Sequence, residues 1–330
     1  MTRIGLLSAA HLHVDAYAHH LTRLPGVEVS GLWDDDDARR AKKAAEYGVP
    51  EKPTVEALLD SCDAVVICSE NVNHEPLTLA AARAGKHVLC EKPLATTPDR
   101  ALAMVRACED ANVQLFTAFP CRFSPAFGQL KATVDAGELG EVLAVRATNQ
   151  GVCPGGWFIE KELSGGGAVM DHTVHVTDLL RVLLADEVKD VFCESGNNLL
   201  HGDFDDTGVL TFTFEKSVFA TLDASWSRPK IFPTWGNVTM AVIGTKGVIE
   251  MDMFAQESAL YSDRAGRVAY QGWGSDIDRG LVGAFLAALR GEETRLATGI
   301  DGLRAVEVVD AAYRSAASHQ PEAVVRLSIE

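Results

Sequence analysis

Through the first 118 residues, short runs that are apolar at nearly every position alternate with stretches whose apolar residues recur every three or four positions. RIGLLS (3–8), VEVSGLW (27–33), AVVIC (64–68), HVLC (87–90) and VQLFTA (113–118) read as buried strands. Residues 11–24, 37–47, 55–60, 75–84 and 99–111 read as helices between them, with Pro25-Gly26, Gly48 and Gly85 as stops. Strands apolar on both faces and separated by helices specify a parallel sheet covered on both sides. Right-handed crossovers make that sheet doubly wound.

The pattern changes after about Pro120. Residues 124–136 read as a helix. VLAVRATNQ (142–150), TGVLTFTFE (207–215), SVFATLDASW (217–226), GNVTMAVIG (236–244) and KGVIEMD (246–252) are longer, and they alternate apolar with polar. They predict an antiparallel or mixed sheet with one face on helices near 173–184, 276–290 and 303–318. No internal repeat or low-complexity linker interrupts the chain. The expected organisation is therefore two α/β domains, 1–122 and 123–330, joined tightly, with a cleft between them as the favoured ligand site.

The charge balance narrows the partners. A net charge of −16 over 330 residues repels nucleic acid and anionic membranes. It does not exclude an anionic cofactor, because a helix N-terminus binds phosphate locally. The cysteines are seven, an odd number, with no C-x-x-C, and several lie in apolar runs. They read as reduced, buried residues of a cytoplasmic protein rather than a disulfide framework. No apolar run reaches the roughly 18 residues of a membrane span.

Three stretches carry chemistry. The first strand runs into a helix where a dinucleotide fold keeps G-x-G-x-x-G, and here the glycine slots hold Ser8, Ala10 and His13. Ser8 and Ala10 meet the steric demand if the local φ is negative, and the helix N-terminus remains for phosphate. Asp34 ends the second strand 21 residues beyond His13. It is placed to bind the adenosine ribose and to favour NAD over NADP; an acid run that merely caps the next helix is the competing interpretation. Lys92 follows the fourth strand and precedes Pro93, a residue at which a cis bond is accessible. Alone, it reads as a surface turn lysine. Finally, three glycines (165–167) lead into a helix that carries Asp171, His175 and Asp178 at i, i+4 and i+7. One face then holds a carboxylate able to orient an imidazole for proton transfer. A solvated stripe is the plainer alternative. No metal site is expected, because there is no H-E-x-x-H, and His19 and His20 lie beyond the turn that holds His11 and His13.

Together these motifs resemble the Gfo/Idh/MocA family, the glucose–fructose oxidoreductase and inositol dehydrogenase group. Glu91-Lys92-Pro93 is similar to its E-K-P signature. Gly165–Gly167 with Asp171, His175 and Asp178 is similar to its glycine-led D-x-x-x-H-x-x-D helix. Cys68–His74 stands where the family has T-P-N-x-x-H, and Arg122–Pro125 matches R-F-x-P.

The resemblance implies an N-terminal Rossmann doubly wound parallel sheet, a C-terminal α/β domain with a large open, mostly antiparallel sheet that often forms a dimer or tetramer interface, and hydride transfer between NAD and a sugar, cyclitol or related polyol. It implies a catalytic set of Lys92, Asp171 and His175, with either Lys92 or His175 as the base. It places Ser8, Ala10, His11, Leu12, His13, Asp34, Ser69, Glu70, Asn71, His74, Glu91 and Lys92 at the cofactor. Arg122, Trp157, Asp171, His172 and His175 are expected at the substrate, Arg122 as a substrate contact or a tie between domains; Trp157 and Phe158, after the Pro154-Gly155-Gly156 turn, read either as an aromatic wall for a sugar face or as a core plug under a loop. The segment SWSRPKIFPTWG (225–236) reads as a pocket mouth or a subunit contact. Two other functions compete: a redox-neutral NAD-dependent glycosidase or lyase of the same fold, and a non-catalytic ligand sensor, which the missing glycines alone support.

Overall fold

The computed structural model describes residues 1–234, 236–264, 266–272 and 274–329. Five parallel strands, β1 (Thr2–Leu7), β2 (Val27–Trp33), β3 (Ala64–Ile67), β4 (His87–Cys90) and β5 (Leu115–Thr117), form a sheet in the order β5-β4-β3-β1-β2. The helices α1 (Val14–Leu21), α2 (Asp37–Tyr47), α3 (Val55–Leu59), α4 (His74–Arg83) and α5 (Pro98–Asp110) connect them. Ile4, Leu6, Val66 and Leu89 pack on one face of the sheet, and Leu7, Val65, Ile67 and Val88 on the other. Burial on both faces is why these strands are apolar throughout. Local chemistry sets the helix ends: the Asp36 carboxylate accepts the Ala38 and Arg39 N–H groups at 2.9 Å, and Gly48 closes α2 at φ 67°.

After α6 (Pro125–Asp135) the chain builds a second sheet. Its strands are β6 (Val142–Gly151), β7 (Val188–Gly196), β8 (Thr207–Phe214), β9 (Phe219–Asp223), β10 (Gly236–Gly244) and β11 (Val248–Asp252), in the order β11-β10-β6-β9-β8-β7. Only the β6–β9 pair is parallel among these. Between β6 and β7 lie α7 (Lys161–Ser164) and α8 (Ala168–Leu184). The inner residues Leu210, Phe212 and Phe214 of β8 pack with Leu179, Leu180 and Leu183 of α8. A hairpin of β12 (Glu257–Ser262) and β13 (Arg267–Gly272) follows.

The chain then returns to the first sheet. Leu281, Val282 and Phe285 of α9 (Ile277–Leu289) join the core with Ile4 and Leu6, and β14 (Ala297–Thr298) pairs antiparallel with β5. Helix α10 (Gly299–Ser318) touches both α5 and α8, and β15 (Glu322–Ala323) pairs with β7. The hydrophobic pattern assigns none of β7, β12, β13, β14 or β15. Both β14 and β15 are two residues long and exist only through distant partners.

Candidate active site

The carboxyl ends of β1 and β4 meet the amino end of α8 at a cavity of about 280 Å³. Lys92, Asp171, His172 and His175 line it together with His11, His13, Cys121, Asn149, Phe158 and Asp278. Lys92 follows β4 directly, so the end of a parallel strand aims it into the crevice. Its peptide bond to Pro93 is cis, and the His74 imidazole lies 2.9 Å from the Pro93 carbonyl oxygen. His74 therefore holds the turn rather than lining the cavity.

Helix α8 starts at Ala168, five residues before the start that the sequence suggests, because its amino end is held from elsewhere. The Asp205 carboxylate accepts the Gly167 and Val169 N–H groups at 3.0 and 2.7 Å, and the Tyr313 hydroxyl accepts those of Gly167 and Met170 at 3.1 and 3.2 Å. A Cβ on Gly167 would meet the Asp205 carbonyl oxygen at 2.0 Å, so only glycine allows this approach. The polar stripe of α8 is wholly buried, not solvated.

Lys92 Nζ donates to Asp171 Oδ1 at 2.5 Å, while the indole Nε1 of Trp226 donates to Oδ2 at 3.2 Å. His172 Nε2 lies 3.3 Å from the same Oδ2. Burial opposes charge on Asp171, yet the Lys92 ammonium holds its carboxyl well below the usual range. The i, i+4 spacing suggests that Asp171 orients His175. The structure gives that carboxylate to Lys92 instead, because a full cation outbids an imidazole for it. His175 Nδ1 lies 3.9 Å from Cys121 Sγ, and burial, with Lys92 adding, pushes this imidazole well below its ordinary value. His175 is thus a neutral base beside a buried cation.

Asp178 does not reach the cavity. It takes Arg122 in a two-point pair at 2.7 and 2.5 Å, and that guanidinium also lies 3.3 Å from Asp301 and donates to the Arg295 carbonyl at 3.3 Å. Arg122 is a tie between distant segments, and it is not among the residues lining the cavity. Trp157 is not there either. Its indole N–H donates to the Ala10 carbonyl at 3.1 Å while its ring stacks at 3.8 Å on Phe158, and Phe158 provides the wall.

The opening loop departs most from expectation. Ser8 has φ 69°, the left-handed region that suits glycine, whereas its fitness there was expected to need a negative φ. The turn keeps its glycine shape and pays for it with a serine. The Ser8 hydroxyl donates to Asp34 Oδ2 at 3.2 Å and accepts the Ala10 N–H at 3.2 Å, and Asp34 Oδ2 accepts the Ala9 N–H at 2.6 Å. Asp34 is fully buried and also bonds Arg39 Nε at 2.9 Å and the Asp36 N–H at 2.8 Å. It braces the loop. A second cleft, of about 210 Å³, lies at the carboxyl ends of β1, β2 and β3, and Ser8, Trp33, Asp35, Ser69, Glu70 and Asn73 line it. The acids at this cleft are Asp35 and Glu70, not Asp34. Asn71 faces away from it, donating to the Ser164 carbonyl at 2.8 Å.

His11, His13 and Glu91 come together at the floor of the cavity. His13 Nδ1 lies 3.1 Å from Glu91 Oε1, and His11 Nε2 lies 3.9 Å from Glu91 Oε2. Burial lowers His11 to about 3, whereas Glu91 overcomes burial to raise His13. Leu12 is half-exposed at the rim. Sequence reasoning missed Cys121, Asn149 and Asp278, which lie in turn, strand and helix-start contexts that carry no signal of a site, whereas Phe158 lines the cavity as one of the two aromatics read as a wall. Trp226, Thr234 and Gly236 bear out a pocket-lining part for the segment 225–236, while Trp235 lies outside the described residues.

Residues 4–119 match the oxidoreductase family NAD-binding Rossmann fold of the GFO/IDH/MocA group, and residues 127–250 match the GFO/IDH/MocA C-terminal domain. The chain is similar to a 1,5-anhydro-D-fructose reductase of Ensifer adhaerens, 30% identical over 97% of this chain and 98% of the relative. It is similar to inositol 2-dehydrogenase 2 of Saccharopolyspora erythraea, 29% identical over 96% and 93% of the two chains. Among solved structures it is similar to GenD2 of gentamicin A biosynthesis in complex with NAD, with a TM-score of 0.89 and 25% identity, covering 98% of this chain and 97% of that one.

Proposed function

This chain belongs to the Gfo/Idh/MocA oxidoreductase family, and we propose that it moves a hydride between NAD and a carbinol or carbonyl carbon of a sugar, cyclitol or related polyol. One observation carries the mechanism: a buried Lys92–Asp171 ion pair and a neutral His175 border the same cavity. The residues present fit the cofactor. The cleft beside Ser8 and Ser69 carries Asp35 and Glu70 for ribose hydroxyls, and both acids would repel a 2′-phosphate. Arg39, the nearby cation, is engaged by Asp34, Asp35 and Glu70. NAD is therefore preferred over NADP. When bound, the nicotinamide supplies the site that gives or takes the hydride.

His175 takes the hydroxyl proton during oxidation and returns it during reduction. Its Nδ1 faces Cys121, which leaves Nε2 for substrate. Lys92 spends N–H donors on Asp171 Oδ1 and on the Asp171 carbonyl, at 2.5 and 3.4 Å, and keeps one for the reacting oxygen. There its charge stabilises the developing alkoxide. Asp171 is a positioning residue, fixed in turn by Trp226 and His172. The cavity volume suits one sugar ring.

The half-exposed apolar residues Val209, Phe219 and Val248 on the outer face of the second sheet support a homodimer or homotetramer joined there. Free thiols at all seven cysteines support a cytoplasmic location. Among the described residues no helix is long and apolar enough to cross a membrane. The test of the mechanism is His175→Asn, with turnover followed by reduced-nicotinamide absorbance on a sugar and polyol panel. Turnover should fall roughly 100-fold while NADH binding holds; near-normal turnover would move the base elsewhere.

A further inference from the structure

We propose that His11, His13 and Glu91 form a binding site for one divalent transition-metal ion of the zinc type at the floor of the cavity. The nitrogen and oxygen donors of the three side chains lie within 4.8 Å of one another. Metal bonds of about 2.0–2.2 Å require donors about 3–4 Å apart, so small rotations of the two imidazoles complete the set. Two of the residues are rigidly placed. His11 is one residue beyond the Ala10 carbonyl that Trp157 holds, and its own N–H donates to the Cys68 carbonyl at 2.8 Å. Glu91 ends β4 beside Lys92, and its Oε2 accepts the Lys92 N–H at 3.1 Å.

Two further observations point to a ligand. His11 is 1% exposed, and among the described residues its Nε2 has no hydrogen-bond partner, yet it faces the Glu91 carboxylate from 3.9 Å. A buried polar atom left this way is costly unless something fills the gap. Asp278 lines the same cavity, and its Oδ1 is also buried and has no partner among the described residues. Its charge is felt by His13. Glu91 and Asp278 put two carboxylates here against one imidazole, His13, whose charged form Glu91 favours, an acidic excess, while Lys92 is committed to Asp171. A divalent ion balances that excess. Two imidazoles and a carboxylate select a borderline metal over magnesium or calcium, which prefer all-oxygen sites. The remaining positions of such an ion open toward the cavity in which the proposed reaction occurs, and only in that respect does the site rest on the oxidoreductase reading.

The experiment is direct. Metal-stripped full-length protein, free of nicotinamide, is titrated with Co²⁺ while visible absorbance and calorimetric heat are followed. One equivalent should bind with a dissociation constant at or below the micromolar range and produce visible d–d bands. His11→Ala and Glu91→Gln should each weaken binding at least tenfold, and His19→Ala, outside the cluster, should not. Far-UV circular dichroism checks that each variant is folded, and either folded variant suffices. No stoichiometric binding by the wild type, or equal binding by wild type and a folded cluster variant, overturns the site. NADH binding by the same stripped protein, read from fluorescence, tests the oxidoreductase assignment separately.

Discussion

Residues 8–13 and residues 167–178 border one cavity, but the first segment keeps its turn by bracing backbone N–H groups with the side chains of Ser8 and Asp34, while the second gives its carboxylates to cations far along the chain. In the opening loop the Ser8 hydroxyl and the Asp34 carboxylate take the Ala9 and Ala10 N–H groups. A side-chain brace thus replaces the freedom that glycine would have given. In α8 the glycines remain, and they let Asp205 and Tyr313 come against the helix end. Asp171 and Asp178 then reach Lys92 and Arg122, each more than 50 positions away. The lesson is that a turn's shape can be conserved by substitution chemistry, whereas a catalytic pair depends on long-range register.

If the α8 side carries the chemistry, Lys92→Ala should lower turnover about a thousandfold or more, since it removes a charge aimed at the reacting oxygen. Circular dichroism should be unchanged, and turnover within tenfold of wild type would reverse the assignment of the two sides. Next comes the tie. Arg122→Ala leaves Asp178, which is fully buried, without its partner and should cost about 3–5 kcal/mol in urea unfolding. A loss under about 1 kcal/mol would mean that Arg181 compensates.

The histidines sharpen the comparison through pH. His11, with its pKa near 3 in the fold against 6.5 unfolded, and His74, His172 and His175, also lowered by burial, stay neutral in the folded protein as pH falls. The unfolded chain takes up protons first, so their stabilisation is complete above 6.5 and is lost as pH drops below it. His11 should contribute about 1 kcal/mol of loss between pH 7.5 and 5.5, and the other three add to it in the same direction. His13, raised by Glu91, works in the opposite sense. Flat stability over that interval would show these side chains to be hydrated rather than buried. The smallest effect lies in the loop: Ser8→Ala should be less stable than Ser8→Gly by about 1 kcal/mol, because alanine keeps the left-handed penalty and loses the hydroxyl. Equal stability of the two variants would remove the brace from the argument.

Much of the first sheet was legible, since strands buried on both faces write themselves as unbroken apolar runs; the bounds read for β2, α2 and β4 match those observed. Lys92, Asp171 and His175 were legible from motif and helical spacing. Their pairing was not, because spacing within α8 favours Asp171 with His175, and nothing local says that a lysine 79 positions away will claim the carboxylate. The partners of Asp34 were hidden for the same reason: the end of β2 marks an acid, but only the fold shows that it turns toward Ala9 and Arg39 while Asp35 lines the cleft.

The sequence by itself determined the two kinds of sheet, the order of the motifs and the types of group at the site, because periodicity and residue chemistry are local properties. Tertiary structure decided which carboxylate meets which cation, which of two adjacent acids faces the cleft, and that His11, His13 and Glu91 converge. Those outcomes depend on how β4, α8 and α9 pack around one cavity, where burial makes each unpaired charge costly and so fixes its partner.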